Sequence, residues 1–258
     1  MAYATRVIPV KKRRMQSTAP PRTPYGLQVI ENCLTCPLVK ERVFCDLSPS
    51  VLGALDAISS SATYPRDAVL FVEGQEPRGV FVICNGRAKL TTNSTGGQSL
   101  IVRIAEPGEI VGLPGTLSGA PYELSAEALE PLQASFIPRD AFLRFLRENG
   151  EAALRVGEML ARIYHATLLE VRYLGFSSSA AEKLARFLLD LPVSANGTAG
   201  EIRKTLTLTH KEIGEMIGAT RETVTRLFSH FKKEGLIEVH GSALIIPDAN
   251  QLARVFGA

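Results

Sequence analysis

Two groups of residues in this sequence have the types and spacing to do chemistry. The first is a set of thiols. Cys33, Cys36 and Cys45 are spaced C-x2-C-x8-C, and Cys84, in the apolar run VFVICNG, is the one cysteine left over. Two thiolates separated by two residues can wrap one metal centre. Structural zinc sites and iron–sulfur clusters usually take four ligands, so the local trio needs a fourth donor. The same C-x2-C pattern also serves redox-active thiols, and Cys84 alone reads equally well as a buried core thiol. The second group is Arg221, Glu222, Thr225, Arg226 and Ser229. Their offsets put all five on one helical stripe. Arginine can bond guanine bidentately and glutamate can accept from cytosine, and a helix N-terminus is what enters the major groove in helix-turn-helix proteins. The plain alternative is a solvated helix face.

The elements that must carry the second group are legible around it. Residues 209–235 read THKEIGEMIGATRETVTRLFSHFKKEG. Thr209 is an N-cap with Glu212 three residues on, the capping-box spacing. Ile213 and Ile217 share a face, and Gly218-Ala219 breaks the pattern. Thr220 caps a second helix in which Val224, Leu227, Phe228 and Phe231 form the apolar side, and Gly235 stands just past its end. Leu236–Val239 and Ala243–Ile246 are two short apolar runs joined by His240-Gly241-Ser242, which predicts a hairpin wing.

The stretch LTLTHKEIGEMIGATRETVTRLFSHFKKEGLIEVHGSALII resembles the winged helix-turn-helix of the cyclic-AMP receptor and fumarate-nitrate-reduction regulator family, and RETVTR matches its recognition helix. The resemblance implies that Arg221, Glu222 and Arg226 read bases, with Thr225 as an additional candidate. Ser229, Thr209 and Thr220 complete the expected DNA-facing set. Arg221 stands where the oxygen-sensing members carry an apolar residue, so the reading helix is more similar to the cyclic-AMP receptor type. The resemblance further implies a homodimer on palindromic double-stranded DNA with GTGA-like half-sites, and RNA polymerase as a partner. Oxygen sensors of the family hold a 4Fe-4S cluster with an N-terminal cysteine trio and one cysteine of the sensor domain. This chain resembles that arrangement with two departures. The gap to the third cysteine is longer, and Ser135, in LQASFIP, stands where the fourth ligand aligns. Cys33, Cys36, Cys45 and Cys84 are therefore the expected holders of a 4Fe-4S cluster, with zinc or redox thiol chemistry as alternatives.

Between Tyr64 and Pro138 short β-rich runs (AVLFVEG, GVFVICNG, AKLTT, SLIVRIAEPGE, LQASFIP) alternate with Gly, Pro and Asn, a barrel or jelly-roll pattern. GVFVICNGRAKL and AEPGEIVGL resemble the β-roll of the same family. Nucleotide-binding members grip the ribose with a glutamate and the phosphate with an Arg-Ser pair. Here Leu113 replaces the glutamate, and residues 119–129 contain no Arg or Lys. A buried phosphate needs charge-assisted donors, so no cyclic-nucleotide site and no cyclic-AMP control are expected, although an unrelated small molecule in the roll stays open as an alternative. A metallo-oxygenase of cupin type needs histidines on its strands. The four histidines, His165, His210, His230 and His240, all lie outside the β region. There is no P-loop, no Gly-x-Ser-x-Gly and no dinucleotide fingerprint, so no catalytic residues are assigned and the chain is read as a non-enzyme. A thiol oxidoreductase using Cys33 and Cys36 remains as a rival, but the βαβ context of that motif is missing.

Ser48–Ser59 reads as a short helix with Val51, Leu52, Leu55 and Ile58 on its apolar face. Arg139 to Leu174 is a long helical stretch that Asn149-Gly150 is expected to interrupt. Ala153, Val156, Leu160, Ile163, Thr167 and Leu174, flanked by Val171, follow coiled-coil spacing and are expected to be the dimer seam; the alternative is a helix packed on its own subunit. Gly175 and Ser177–Ser179 form a hinge, Ala180–Leu189 an amphipathic helix, and residues 191–200 a loop.

The expected fold class is α+β: a disordered basic tail (1–25), a cysteine-containing segment (26–47), a β-roll, jelly-roll-like sensor domain (48–145), a long dimerisation helix (146–175) and a winged helix-turn-helix DNA-binding domain (176–258). Net charge is +3 over 258 residues, and it is uneven. Residues 1–30 carry six bases and no acid, and residues 201–258 carry eight bases and seven acids. DNA binding is thus argued from where the arginines stand and not from global charge. The basic run KKRR reads as an arm for phosphates or as a solvated extension. No apolar run reaches the roughly 18 residues of a membrane span, and the basic N-terminus lacks the apolar region of a secretory signal. A cytoplasmic protein with reduced cysteines is expected.

Overall fold

The structure is a computed structural model that describes residues 25–36, 44–176, 179–196 and 201–256. The basic run of the tail and Ser177-Ser178 of the expected hinge lie outside these residues. The N-terminal half is a roll of two facing four-stranded antiparallel sheets. One has the order β1 (Ser60–Tyr64), β8 (Leu132–Pro138), β3 (Gly79–Asn85), β6 (Ile110–Val111). The other has the order β2 (Val69–Phe71), β7 (Ser125–Ala128), β4 (Ala88–Asn93), β5 (Ser99–Ala105). A short helix α2 (Leu113–Ser118) follows β6. β1 and β7, SSATY and SAEA, are too small and polar to announce themselves; pairing with β8, β2 and β4 makes them strands, and tertiary context overrides weak propensity.

β3 explains how the roll is walled. Successive side chains of a strand point to opposite faces. Phe81 and Ile83 point into the roll, where they join Phe71, Tyr122 and Leu132. Val80 and Val82 point outward, onto helix α1 (Pro49–Ala57) through Leu52 and Leu55, and onto helix α3 (Arg139–Glu148) through Phe142 and Phe145. Both faces are covered, which is why the run GVFVIC is continuously apolar. The roll's interior is filled by rings. Phe71 stacks on Tyr122 with centroids 4.1 Å apart, Phe81 packs on Phe136 at 4.9 Å, and the Tyr122 hydroxyl donates to the Gly79 carbonyl at 2.6 Å.

The long helical stretch is broken at Asn149, as its Asn-Gly pair implies, into α3 and α4 (Gly150–Phe176). The expected dimer seam is corrected here. Val156 is buried in its own subunit's core with Met159, and Leu160 and Ile163 pack against that core, while Ala153 and Thr167 are exposed. Among the described side chains of α4, the large apolar ones left in solvent are Leu154, Tyr164, Leu168 and Val171, 65, 66, 44 and 60 % exposed. With Ala161 these fall seven, three, four and three residues apart, which is the heptad interval. Part of the face that the spacing argument chose is thus covered by α1 and α3 of the same subunit.

The C-terminal half begins with α5 (Ala180–Asp190), capped by Ser179. The expected loop at 191–200 instead contains a strand, β9 (Val193–Asn196). It pairs with β10 (Ile202–Thr205), which in turn pairs with the hairpin β11 (Glu238–His240) and β12 (Ala243–Ile246). Helices α6 (His210–Ile217) and α7 (Arg221–Lys233) pack on this sheet with α5 and α8 (Ala249–Phe256) around Leu184, Leu188, Ile213, Val224, Phe228, Phe231 and Leu252. Among the described residues no helix is long and apolar enough to cross a membrane.

Candidate nucleic-acid interface and cysteine cavity

The helix pair is set by its caps and its turn. The Thr209 hydroxyl accepts from the Glu212 amide at 3.2 Å, and the Glu212 carboxylate accepts from the Thr209 amide at 2.7 Å. Each satisfies one of the amides that a helix start leaves orphaned. Gly218 ends α6 in the left-handed region, at φ 68°, where glycine costs least. Gly214 lets the turn close: a Cβ there would lie 2.5 Å from the Ala219 carbonyl oxygen. Thr220 then caps α7 through the Thr223 amide at 3.2 Å. Val224, Phe228 and Phe231 bury the inner face of α7, so its outer face is fixed. Arg221, Glu222, Thr225, Arg226 and Ser229 are all exposed along it, and no ion pair within the described residues ties down Arg221, Arg226 or Glu222. Two unspent guanidinium groups and a carboxylate at the start of a surface helix are donors and an acceptor for base edges.

The matches to known proteins bear on both halves. Residues 182–255 match the Crp-like helix-turn-helix domain. Residues 62–149 match the cyclic nucleotide-binding domain. Together these cover well over half of the chain. It belongs to the CRP/FNR family of transcriptional regulators. The chain is therefore a DNA-binding regulator and not an enzyme. It is 27% identical over 219 residues to the CRP-like cAMP-activated global transcriptional regulator of Mycobacterium tuberculosis, covering 84% of this chain and 97% of that one. It is 29% identical over 233 residues to the anaerobic regulatory protein of Haemophilus influenzae, covering 88% of each. Among solved structures, a CooA mutant from Carboxydothermus hydrogenoformans superposes with a TM-score of 0.68 at 22% identity, over 85% of this chain and 94% of that one. FixK2 from Bradyrhizobium japonicum gives 0.64 at 23% identity, over 78% and 98%.

Within this CRP/FNR chain the four cysteines converge. Cys33 and Cys36 flank a short 3-10 turn (Cys33–Thr35), Cys45 follows just ahead of α1, and Cys84 ends the outward-facing series of β3. All four line one apolar cavity of about 20 Å³, with Ile30, Leu55, Ser59, Val82, Ser135 and Ile137. Register explains the fourth donor. Ser135 of β8 stands opposite Val82, and Cys84, two residues farther along β3, has its sulfur 3.4 Å from the Ser135 hydroxyl. The serine and the cysteine are neighbours on one wall, so Cys84 reaches the cavity that Ser135 also lines. None of the four is in a disulfide. Burial, then the Asp56 carboxylate, pushes the Cys33 thiol up to about 12, and the Cys33 amide donates to the same carboxylate at 3.1 Å. Among the described residues no three His, Cys, Asp or Glu side chains are grouped closely enough to hold a single metal ion.

Sequence reasoning missed how the two halves meet. The Arg66 guanidinium, just after β1, lies 2.5 Å from the Glu212 carboxylate of α6. Arg87, held by Glu130 through two bonds of 3.0 and 2.9 Å, donates to Thr207 at 2.9 Å. Leu129 of the roll is buried in the core of the helix-turn-helix domain. Lys204 of β10 was missed as well. It is 3% exposed, and its ammonium donates to the Leu189 and Leu191 carbonyls at the end of α5. Burial pulls its pKa down, while the two carbonyls favour the charged form. Its strand reads Ile-Arg-Lys-Thr, so no local pattern marks the lysine as buried.

Proposed function

We propose that this regulator acts as a homodimer that reads a palindromic duplex through Arg221, Glu222, Thr225 and Arg226 and is controlled by a redox or gas signal received at Cys33, Cys36, Cys45 and Cys84. Ser229, Thr209 and Thr220 contribute backbone contacts. The observation that carries the sensing half is the convergence of all four cysteines on one apolar cavity. The donor set fits an iron–sulfur cluster. Four cysteine sulfurs are the ligand set that such clusters take, and all four line the one cavity. Cys33, Cys36, Cys45 and Cys84 would hold it. When bound, such a cluster exchanges electrons and reacts with oxidising gases. The chain's own part is mechanical. Val82 and Cys84 share one strand with Phe81 and Ile83, so a displaced cysteine segment moves a wall common to the cavity and the roll. Arg66, Arg87 and Leu129 join that roll to the reading domain. The exposed stripe Leu154, Ala161, Tyr164, Leu168, Val171 would pair with its copy, which spaces two recognition helices for successive turns of one groove. RNA polymerase is the further partner expected of such a regulator.

The alternatives meet specific obstacles. The rings of Phe71, Phe81, Tyr122 and Phe136 pack inside the roll, and residues 119–129 supply no Arg or Lys for a nucleotide phosphate. A thiol oxidoreductase needs a low-pKa thiolate, and Cys33 is shifted the other way. Anaerobic purification with iron and sulfide analysis, paired with DNA binding under nitrogen and in air, tests the proposal. A coloured protein whose DNA affinity changes in air is expected. A colourless, metal-free protein that binds DNA equally in both conditions would overturn the sensing half.

A further inference from the structure

His210 is the first residue of α6, directly after the Thr209 cap. Its imidazole lies flat on Phe228 of α7, with ring centroids 4.7 Å apart and planes at 25°. Its Nδ1 is 2.9 Å from the Thr225 hydroxyl. That hydroxyl has one proton, and it donates it to the Arg221 carbonyl at 3.0 Å. With that proton directed at the carbonyl, the Thr225 hydroxyl favours Nδ1–H as its donor. Among the described residues Nε2 has no protein partner, and the side chain is half-buried. An uncharged ring in this tautomer offers a lone pair at Nε2. A protonated ring offers an N–H and a positive charge.

We infer that His210 is a phosphate contact that takes up a proton when a duplex engages the recognition helix, so that DNA affinity is coupled to pH. The inference rests on the reading of α7 as the DNA-reading helix. The first helix of a helix-turn-helix lies across the sugar-phosphate backbone while the second enters the groove, and His210 joins the two beside Thr225. The groups acting on the ring in the free protein are partial burial and then Lys232 and Arg221 of α7, both cations, which together hold its pKa below the ordinary value. On its own helix, Lys211 is paired with Glu215 at 3.7 Å, and Glu212 is turned to Thr209 and Arg66. Among the described residues no carboxylate joins those two cations in acting on the ring. When DNA arrives, phosphates screen Lys232 and Arg221 and accept from Nε2–H, which reverses the balance. Linkage is reciprocal: a complex that binds a proton more tightly than the free protein binds DNA more tightly as pH falls.

The test uses the full-length protein and a duplex recovered by selection from a random pool, with affinity measured by fluorescence anisotropy from about pH 8 to pH 6 at constant ionic strength. The wild type should tighten by roughly 3- to 10-fold per subunit, within the limit of one proton for each imidazole. His210→Gln should lose this dependence, His210→Arg should bind tightly throughout, and His240→Gln, in the wing turn, should keep the wild-type slope. Histidine NMR of the wild type should place the His210 titration higher in the complex than in the free protein. An unchanged His210 titration, or a His210→Gln slope equal to wild type, overturns the inference. Binding that is intact but indifferent to His210 sinks this inference alone, whereas a wild type that selects no duplex sinks the DNA-reading assignment with it.

Discussion

Leu168→Glu separates the exposed stripe of α4 from the face that sequence periodicity favoured. Leu168 is 44% exposed in the single chain. Burying a whole leucine side chain is worth about 1.5–3 kcal/mol, so covering the exposed part contributes about 1 kcal/mol. A two-fold interface counts every change twice, which gives about 2 kcal/mol lost. A carboxylate placed in an apolar seam without a partner costs about 1–3 kcal/mol more, and two of them face each other near the axis. With the carboxylate cost also counted twice, the total is about 4–8 kcal/mol, or roughly 10³- to 10⁶-fold in the dimer dissociation constant. Sedimentation velocity over a concentration series should show a folded monomer at low micromolar protein, with DNA affinity falling in parallel. Val156→Glu should behave differently. Val156 is 4% exposed within its own subunit, so the substitution should lower Tm before it affects association. A Leu168→Glu protein that sediments as the wild-type dimer, or a Val156→Glu protein that dissociates while keeping its Tm, would refute the assignment of faces.

Arg221→Ala should cost about 1–3 kcal/mol of specific DNA binding and relax one base position, read by footprinting against a panel of single-base variants. Gly214→Ala pushes a methyl to within 2.5 Å of the Ala219 carbonyl; overpacking of this kind costs about 1–3 kcal/mol, so thermal melting should fall and DNA affinity with it. Cys84→Ser should reduce iron and sulfide content after anaerobic purification while leaving air-purified DNA binding unchanged; retention of full iron content would remove Cys84 from the ligand set. Arg66→Ala should weaken the contact between the halves by about 1 kcal/mol, since the arginine is about half exposed, and hydrogen exchange at the start of α6 should quicken.

The helix-turn-helix was legible because its signals are local. Thr209, Glu212, Gly218 and Thr220 sit at the intervals that caps and turns require, and each makes the bond its spacing implies. The strands of GVFVICN and LQASFIP announced themselves by apolar character, whereas SSATY and SAEA are strands only because neighbours lend them hydrogen bonds. Part of the seam expected on α4 is covered within the subunit for a related reason. Periodicity reports which residues share a face, but not whether α1 and α3 or a second subunit will cover it. Cys84 could be named from composition alone, yet its meeting with Cys33, Cys36 and Cys45 depends on the β3–β8 register, a long-range fact. Arg66, His210 and Lys204 left little trace, because each acts through a contact with a distant segment.

The double engagement of Glu212 constrains how such regulators can be recombined. One oxygen of its carboxylate secures the first turn of α6 and the other meets Arg66 of the roll. A chimera that grafts this reading half onto a foreign sensor therefore separates an anion, shielded from solvent, from its cation unless the new host presents an arginine or lysine at the same spot. The two halves of this chain are bounded by that carboxylate, and a working fusion must carry the turn after β1 across with the helices it serves.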